Sequence, residues 1–301
     1  MKTIDLFSGC GGLSLGFQKA GFDIIAGFEL WDVAASCYEK NFNHPVFRMD
    51  LSNTKEAVSI IRELSPEVII GGPPCQDFSF AGKRIESGRA SLTVSFSEII
   101  AAIRPRYFVM ENVDRARSSN AFALAKENFK MAGYGLTEAV LDASRCGTPQ
   151  KRKRFFCIGA LEKEDGFAQK IIESRLEDKP MTMRDYFGDS LGFDFYYRHP
   201  RNYSRRAVFS IDEPAPTIRG VNRPVPKGYP GHPNDACPVG NGVRALTTEE
   251  RAWIQTFPKS FLWQGSKTDV EQMIGNAVPV NLAFFVGSCL LEIIAEDKNH
   301  V

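Results

Sequence analysis

The amino-acid sequence predicts an α/β protein, with an open and mostly parallel sheet followed by a second, smaller and loop-rich domain. Short apolar segments alternate with helical stretches through the first half of the 301 residues. Several apolar segments end in an acidic residue, as at Glu29, Asp50 and Glu111. This pattern is typical of a parallel sheet whose functional site lies along the carboxyl ends of its strands. From about Pro180 the sequence becomes irregular and rich in Tyr, Arg, Pro and Gly.

The individual elements are predicted in chain order from apolar periodicity and turn residues. Strands are predicted at 3–7, 24–28, 46–49, 68–70, 107–110, 155–158, 207–211 and 217–219. A helix is predicted over 247–256, with Thr247 or Thr248 as its N-cap ahead of two glutamates. The chain ends in an apolar helix that we expect to pack back on the first domain. The predicted domains are 1–178 completed by 270–301, and 179–269.

Charge is informative locally but not globally. Lys and Arg number 37 against 36 Asp and Glu, so the net charge is +1 and names no partner. Residues 145–154 hold five basic residues and no acid, and residues 196–227 hold seven basic residues against two acidic ones. Such clusters are typical of a surface that binds a polyanion, although a solvated basic face is the alternative.

Several classes of protein are disfavoured. The seven cysteines are odd in number and contain no CxxC pair, which argues against a disulfide framework or a zinc site and for a reducing compartment. The four histidines show no ligand spacing, so we expect no metal. The start MKTIDLFSG is not a signal peptide, and the apolar run 279–294 is interrupted and short for a bilayer span. We expect a cytoplasmic protein without a membrane partner.

The first motif is DLFSGCGGLSLGF, residues 5–17, a strand followed by a glycine turn and a helix. Glycines allow a ligand to approach the backbone, so this turn could hold a nicotinamide, a flavin or S-adenosylmethionine (SAM). The G-x-G-G spacing and the lack of a basic residue disfavour a dinucleotide. Glu29 could accept from a ribose diol and Asp50 from an adenine amine, although both could be ordinary residues at strand ends.

The second motif is GGPPCQDFS, residues 71–79, a rigid corner that ends in Cys75. Carbon C5 of cytosine is not nucleophilic until a thiolate adds at C6 and converts the ring into an enamine. A cysteine at this corner therefore favours methylation of a ring carbon over methylation of an amine, which needs no nucleophile. The alternative is a buried structural cysteine, which suits Cys157 or Cys289 better.

Two further motifs supply an acid and a pair of arginines. FVMENV, residues 108–113, carries Glu111 to the same edge of the sheet, where a protonated carboxyl could bind N3 and N4 of cytosine. QKRKRFF, residues 150–156, places Arg152 and Arg154 two residues apart just before a strand, so that they can grip a base carbonyl and a phosphate.

Together with FEL, MDL and the C-terminal IGNAVPVNLA, these motifs resemble the DNA cytosine-5 methyltransferases over essentially the whole chain and in the family's order. The resemblance implies a Rossmann-like, SAM-dependent methyltransferase fold with a small target-recognition domain. It implies that Cys75 attacks C6, that Glu111 is the acid at N3, and that Arg154 contacts the flipped base with Arg152 supporting it. The cofactor residues that it implies are Phe7, Gly9, Gly12, Glu29, Leu30, Asp50, Leu51, Pro73, Leu92, Asn276, Ala277 and Val278.

Two positions depart from the family pattern. An aromatic residue often follows the acid at Glu29, but here Leu30 follows and Trp31 comes one step later. Arg89-Ala90-Ser91 replaces the usual Arg-Gly ahead of Leu92.

The expected partner is double-stranded DNA, with the target cytosine flipped out of the duplex. The predicted DNA-binding residues in the second domain are Arg198, Arg201, Arg205, Arg206, Arg219 and Arg223. We expect a monomeric modification enzyme of a restriction system, with a cognate endonuclease and a target with a GCGC core, and S-adenosylhomocysteine (SAH) as the cofactor product. The alternatives are a tRNA cytosine-5 methyltransferase, a dinucleotide-dependent oxidoreductase and a catalytically inactive DNA-binding relative.

Overall fold

The strands of the central sheet follow the predicted order along the chain, with one strand that the sequence did not predict. The computed structural model describes residues 1–74, 91–202, 204–240 and 242–299, with side chains through residue 297. The strands are β1 (Lys2–Leu6), β2 (Asp23–Glu29), β3 (Val46–Arg48), β4 (Val68–Gly71), β5 (Tyr107–Val113), β6 (Tyr134–Asp142), β7 (Gln150–Lys151), β8 (Lys153–Leu161), β9 (Phe195–Tyr197), β10 (Val208–Ser210) and β11 (Ala215–Pro216). The unpredicted strand in the main sheet is β6.

Seven of these strands form the main sheet in the spatial order β3-β2-β1-β4-β5-β8-β6. β8 runs antiparallel to both β5 and β6, and the other neighbouring strands are parallel. The prediction of a mostly parallel sheet is therefore confirmed. The carboxyl ends of β1 to β5 meet at one edge, where a parallel sheet places its ligand site.

Helices cover both faces of this sheet. The helices are α1 (Gly12–Ala20), α2 (Asp32–Glu39), α3 (Thr54–Leu64), α4 (Leu92–Ile103), α5 (Asn120–Met131), α6 (Gln169–Arg175), α7 (Met183–Phe187), α8 (Thr248–Ile254), α9 (Lys267–Asn276) and α10 (Val280–Asn299). One core lies between the sheet and α1, α6 and α10, and a second core lies between the opposite face and α3, α4 and α5. Successive residues of β4 and β5 alternate between the two cores, as the pleat of a strand requires.

The region between residues 180 and 245 contains little regular structure. β9 and β10 form an antiparallel pair, and β11 pairs in parallel with β7. The prediction of a strand over 217–219 is wrong, because the strand lies at Ala215–Pro216. Beyond it, the amide of Ile218 donates to the side chain of Gln150 rather than to a neighbouring strand. Helix α8 begins as predicted, with Thr247 as its N-cap in a capping box.

Helix α10 packs back onto the first part of the chain, as the sequence predicts. Its buried side chains, among them Leu282, Val286 and Leu290, share a core with Leu13 and Phe17 of α1. By length and composition the stretch Lys267–Asp297 could cross a membrane, contrary to the expectation that this region is too short. However, 61% of its most apolar window is buried inside the protein, which is typical of a core helix.

Candidate active site

A cavity of about 660 Å³ opens at the carboxyl ends of β1, β2, β3, β4 and β5. Its size is ordinary for a pocket that binds a small organic ligand. Every residue that the sequence assigns to the cofactor lines this cavity: Phe7, Gly9, Gly12, Glu29, Leu30, Asp50, Leu51, Pro73, Leu92, Asn276, Ala277 and Val278. Glu111 and Arg154 line the same cavity, so the predicted cofactor residues and two of the predicted catalytic residues lie together.

The glycine turn between β1 and α1 forms the floor of the cavity. Phe7 has a φ of 60° and Gly9 a φ of 55°, so the chain reverses through the left-handed region before the helix begins. A Cβ atom on Gly12 would lie 2.4 Å from the carbonyl oxygen of Val278. Glycine at this position therefore allows the start of α1 to pack against the C-terminal segment. The positive end of the α1 dipole faces the ligand space and suits a carboxylate.

Glu29 is held rigidly at the end of β2. Its Oε2 accepts from the backbone amide of Gly9 at 2.7 Å, and its Oε1 accepts from that of Trp31 at 2.7 Å. Each carboxylate oxygen keeps a second lone pair, so it can still accept from a ribose hydroxyl. Leu30 is 62% exposed, whereas Trp31 is half-buried and lines the cavity. Trp31 is thus the aromatic side chain available to an adenine ring in this wall.

Within the described part of the chain, one side chain of β5 bonds to the proline corner after β4. The amide group of Asn112 is buried, and its Nδ2 donates to the carbonyl oxygen of Pro73 at 3.1 Å. Pro73 and Pro74 both line the cavity. The predicted nucleophile, Cys75, follows directly but lies outside the described residues, as do Arg89 and Ala90 of the departing motif before Leu92.

Glu111 and Arg154 form an ion pair in the cavity wall. The antiparallel register of β5 and β8 places Arg154 opposite Val113, on the same face as Glu111. Arg154 Nε lies 2.8 Å from Glu111 Oε1, and the two side chains are 14% and 11% exposed. Burial raises the pKa of Glu111, while the charges of Arg154 and Arg152 act in the opposite direction. Glu111 therefore retains a proton to higher pH than an exposed glutamate does.

Arg152 lies behind this wall and is not among the residues that line the cavity. Its side chain is 1% exposed. Its guanidinium donates to the carbonyl oxygens of Ile218 at 2.9 Å, Gly275 at 2.9 Å and Ala277 at 3.1 Å. Burial lowers its pKa to about 9, with the charge of Arg154 contributing in the same direction. Arg152 thus supports the backbone of the wall rather than reaching the ligand space.

The six arginines predicted to bind DNA divide into two groups. Arg201, Arg205 and Arg223 have exposed side chains. Arg198, Arg206 and Arg219 are bound within the protein. Arg198 donates to the carbonyl oxygen of Thr217 at 2.9 Å, Arg219 donates to that of His199, and Arg206 pairs with Glu213 and lies 4.3 Å from the ring centre of Phe209.

All of these arginines except Arg206, which pairs with Glu213, form one electropositive cluster. Burial lowers the pKa of Arg198 to about 10, and the charges of Arg219, Arg201 and Arg205 contribute in the same direction. Burial also lowers the pKa of His199, with Arg223 and Arg219 adding to the effect. The cluster suits an anionic ligand because concentrated like charges repel one another until a counter-charge binds.

The sequence prediction missed Asp5 as a residue of the cavity. Asp5 Oδ2 accepts from Ser14 Oγ at 2.6 Å, and the chain of hydrogen bonds continues through Tyr38 to His44. Its Oδ1 is buried and has no hydrogen-bond partner among the residues that the structure describes. Burial raises the pKa of Asp5 to about 7. The detectable signal was a carboxylate inside an otherwise apolar strand, TIDLF.

The residues present fit SAM. The cavity combines the paired carboxylate of Glu29 for a ribose, the side chain of Trp31 for a base, and the unpartnered Asp5 Oδ1 for a cationic group. Within the described ranges, no cluster of three or more His, Cys, Asp or Glu side chains could hold a metal ion.

Comparisons with known proteins agree with one another. The family model of the C-5 cytosine-specific DNA methylases matches residues 1–292. The chain is 60% identical over 295 residues to the type II methyltransferase M.HindV of Haemophilus influenzae, covering 97% of this chain and 96% of that protein. It is 55% identical over 291 residues to the type II methyltransferase M.HgiDI of Herpetosiphon aurantiacus, covering 96% and 94%. The S. pombe Dnmt2 methyltransferase has the same fold, with a TM-score of 0.71 at 19% identity over 98% of this chain and 99% of that one.

Proposed function

Since the chain belongs to the C-5 cytosine-specific DNA methylases, we propose that it methylates a flipped-out cytosine through a covalent bond between Cys75 and C6. The family match and the high identity to type II enzymes make it a cytosine-5 DNA methyltransferase of the restriction-modification type. SAM is its methyl donor and, when bound, supplies a methyl group on a sulfonium sulfur. The covalent step, the residue roles and the target sequence form the proposal.

Glu111 carries the proton that the covalent step requires. Addition of the Cys75 thiolate to C6 places electron density on N3 of the ring. A proton from Glu111 to N3 neutralises that charge and leaves an enamine whose C5 can attack the methyl group. The proton on C5 then leaves to a base, the C6–S bond breaks, and the N3 proton returns to Glu111. Burial of Glu111 supports this role because it raises the pKa of the carboxyl.

Arg154 holds Glu111 and offers its remaining donors to the base. Its Nε is engaged with Glu111 at 2.8 Å and its Nη1 with the carbonyl oxygen of Lys153 at 2.8 Å. A guanidinium has five N–H donors, so some can still reach the carbonyl oxygen of a cytosine. The proposal rests on one observation: the ion pair of Glu111 and Arg154 lines the same cavity as every predicted cofactor residue.

The expected cofactor contacts follow from the cavity wall. We assign the ribose to Glu29, the adenine to Trp31, Asp50, Leu51 and Phe7, and the methionine part to the glycine turn and Asp5. Asn276, Ala277 and Val278 close the wall from the C-terminal side. The exposed arginines Arg201, Arg205 and Arg223 would contact phosphates or guanine edges of the duplex.

The remaining parts of the proposal concern the whole protein. We propose a cytoplasmic monomer that acts beside a restriction endonuclease of the same specificity. A GCGC core is the target expected from the sequence. The domains are proposed as 1–178 with 270–301, and 179–269.

The covalent step is tested with Cys75→Ser. We expect this variant to lose methyl transfer and to retain SAH and DNA binding, while Cys289→Ser, which alters a buried cysteine of the core, retains activity. Duplex DNA that contains 5-fluorocytosine should form a stable adduct with the wild type in the presence of SAM, because fluorine blocks the final elimination. Turnover by Cys75→Ser, or the absence of an adduct, would contradict the covalent mechanism.

The target is tested by bisulfite sequencing of plasmid DNA from cells that express the chain. We expect one cytosine in one short sequence to resist bisulfite conversion completely, because it is methylated. The aligned sites should share a GCGC core, and a different shared sequence would overturn that expectation. A tRNA transcript serves as the control substrate in vitro. Methylation of tRNA in preference to duplex DNA would contradict the assignment to DNA.

A further inference from the structure

The irregular segment 219–223, with the sequence RGVNR, carries side chains of two kinds. Val221 is 54% exposed, and the side chain of Arg223 is also exposed. Asn222 lies between them but is half-buried, and its Nδ2 donates to the carbonyl oxygen of Leu246 at 2.7 Å. The segment therefore presents a valine and an arginine to solvent while an asparagine attaches it to the protein.

A buried ion pair binds this segment at both ends. Arg251 of α8 and Glu271 of α9 form the pair, and their side chains are 4% and 6% exposed. Nη2 of Arg251 also donates to the carbonyl oxygen of Arg219. Oε1 of Glu271 accepts from Asn222 Nδ2 at 3.3 Å. One charged group thus holds the first residue of the segment, and the other holds the residue before Arg223.

The arginine of this pair lies in the field of the electropositive cluster. Burial lowers the pKa of Arg251 to about 10, and the charges of Arg198 and Arg219 act in the same direction. Glu271 places an opposite charge in contact with Arg251, and its Oε1 is held further by Thr248 Oγ1 at 2.8 Å. The glutamate therefore fixes the arginine at a place where neighbouring arginines repel it.

Stability alone does not account for a charged pair at this place. Removing two charged groups from water is costly, and well-packed apolar side chains of similar volume are often equally stable or more stable. An apolar pair, however, cannot bind the carbonyl oxygen of Arg219 or the side-chain amide of Asn222. What the ion pair adds to the protein is therefore a fixed position for residues 219–223.

The exposed side chains of the segment suit the base edges of DNA. An arginine can bind O6 and N7 of guanine with two hydrogen bonds, and an apolar side chain can contact the methyl group of thymine. Hydrogen bonds weaken steeply when their geometry is poor, so such contacts distinguish bases only from a well-fixed backbone. Arg223 and Val221 have the required chemistry, and the ion pair supplies the fixed backbone.

We propose that Arg251 and Glu271 are positioning residues that set the sequence discrimination of the enzyme by holding residues 219–223 against the bases of DNA. This inference rests on the proposed function, because it takes the electropositive cluster as the DNA-binding face. Neither residue lines the cofactor cavity. Loss of the pair therefore changes which sequences are methylated more than it changes the chemical step.

The test replaces the ion pair by two methionines, Arg251→Met with Glu271→Met, which leaves no uncompensated charge in the interior. Plasmid DNA is treated with limiting enzyme and SAM. Bisulfite sequencing then compares the methylation rate at the preferred sequence with the rate at sequences that differ by one base pair. We expect this ratio to fall about tenfold. We expect kcat at the preferred sequence and SAH affinity to stay within about threefold.

The matched control is Arg175→Met with Glu292→Met, which removes an ion pair between α6 and α10 and should leave the ratio as in the wild type. Thermal unfolding establishes that each double variant is folded. A wild-type ratio in the folded Arg251 and Glu271 variant would overturn the proposal, because an apolar pair would then position the segment equally well. An equal fall in the control would also overturn it.

Asn222→Ala tests the attachment of the segment and decides the question if the double variant does not fold. This change removes a half-buried side chain and leaves the ion pair in place. We expect the ratio to fall about fivefold. Asn53→Ala, which also removes a bond to a glutamate, at 2.7 Å in α3, should keep the wild-type ratio. Equal ratios in these two variants would overturn the proposal. Failure of the proposed function is distinct, because the wild type would then transfer no methyl group to DNA.

Discussion

Asn112 is the one described side chain of β5 that binds the backbone of the proline corner. Its Nδ2 donates to Pro73, while its Oδ1 accepts from the amide of Val113 at 2.8 Å. The side chain is 4% exposed, so water does not replace these bonds readily. A contact of this kind limits how far the corner can move relative to Glu111.

Replacement of Asn112 by alanine should therefore lower kcat and leave cofactor affinity nearly unchanged. We expect kcat to fall about 10- to 100-fold, since small displacements of reacting groups cost rates of this order. SAH affinity should stay within about threefold, because the side chain binds a backbone carbonyl and not the cofactor. Steady-state kinetics and SAH titration measure the two effects. Asn128→Ala, whose amide bonds Ser97 between α4 and α5, is the control, and equal kcat values in the two variants would contradict the prediction.

Asp5 makes the stability of the cofactor-free protein depend on pH. Burial raises its pKa to about 7 from the ordinary value of 3.8. The folded state therefore binds a proton more tightly than the unfolded state does. This contribution is complete below about pH 4 and is lost as the pH rises through the folded pKa of about 7.

Asp5→Asn removes this titration while keeping the shape of the side chain. Relative to the wild type, the variant should gain about 3 kcal/mol in free energy of unfolding as the pH rises from 5 to 8. Urea denaturation at a series of pH values measures the difference. Parallel stability curves for the two proteins across this range would contradict the prediction.

The residue types of the active site could be predicted from the sequence, but their contacts could not. Glu29, Asp50 and Glu111 were detectable because each follows a short apolar segment of the sequence. The bonds of Arg152 were not detectable, since its three carbonyl partners lie 66 to 125 positions away in the chain. Pattern rules describe neighbours along one element and carry no information about such distant pairs.

Close backbone contact joins α1 to α10. A Cβ atom on Gly16 would lie 2.3 Å from Ala283 Cβ and 2.5 Å from the carbonyl oxygen of Val280. These atoms belong to a helix backbone and a short side chain, so neither can move away cheaply. The first helix and the last helix thus fix each other's position.

Gly16→Ala should destabilise the protein by about 1–3 kcal/mol, the usual cost of overpacking a core. The added methyl group must push α1 away from α10, which lowers the thermal midpoint. SAH affinity should also fall, because α1 and the segment before α10 both border the cavity. Gly240→Ala adds a methyl group in open space and serves as the control. Equal midpoints for the two variants would be inconsistent with this packing.

At the scale of the elements, the strands of the main sheet were predicted better than the strands of the irregular region. The six predicted strands of the main sheet are present at their expected places. β6 was missed because YGLTEAVLD mixes polar residues into a strand at the edge of the sheet, next to β8. The strand expected at 217–219 failed because side chains of Gln150 and Arg152 take up its backbone groups.

On the scale of the whole molecule, the arginines predicted to bind DNA are of two kinds: some are exposed, and others form bonds within the protein. Arg201, Arg205 and Arg223 are exposed, whereas Arg206 is held by Glu213 and Phe209. An arginine that already has a carboxylate partner releases fewer counterions when DNA binds. The predicted DNA residues should therefore differ in their effect on salt dependence.

Replacing Arg201, Arg205 or Arg223 by alanine should weaken DNA binding. Each change should lower the slope of log K against log salt by about 1 if the side chain contacts a phosphate. Arg206→Ala should leave the slope nearly unchanged. Fluorescence anisotropy with plasmid fragments over a range of salt concentrations measures the slopes. A loss of slope in Arg206→Ala equal to that of the other variants would contradict this division.

The packing of α1 against α10 also determines when, during synthesis of the chain, the cavity can be completed. The floor of the cavity comes from the first residues of the chain, and its last wall comes from Asn276 to Val278. Ribosomes add about 5–20 residues per second, so the two parts are made on the order of tens of seconds apart. During that interval the glycine turn has no partner helix and the cavity has no closing wall. If this cavity holds SAM as proposed, we expect capture of the cofactor to be a late event in synthesis, after the residues of α10 have been added.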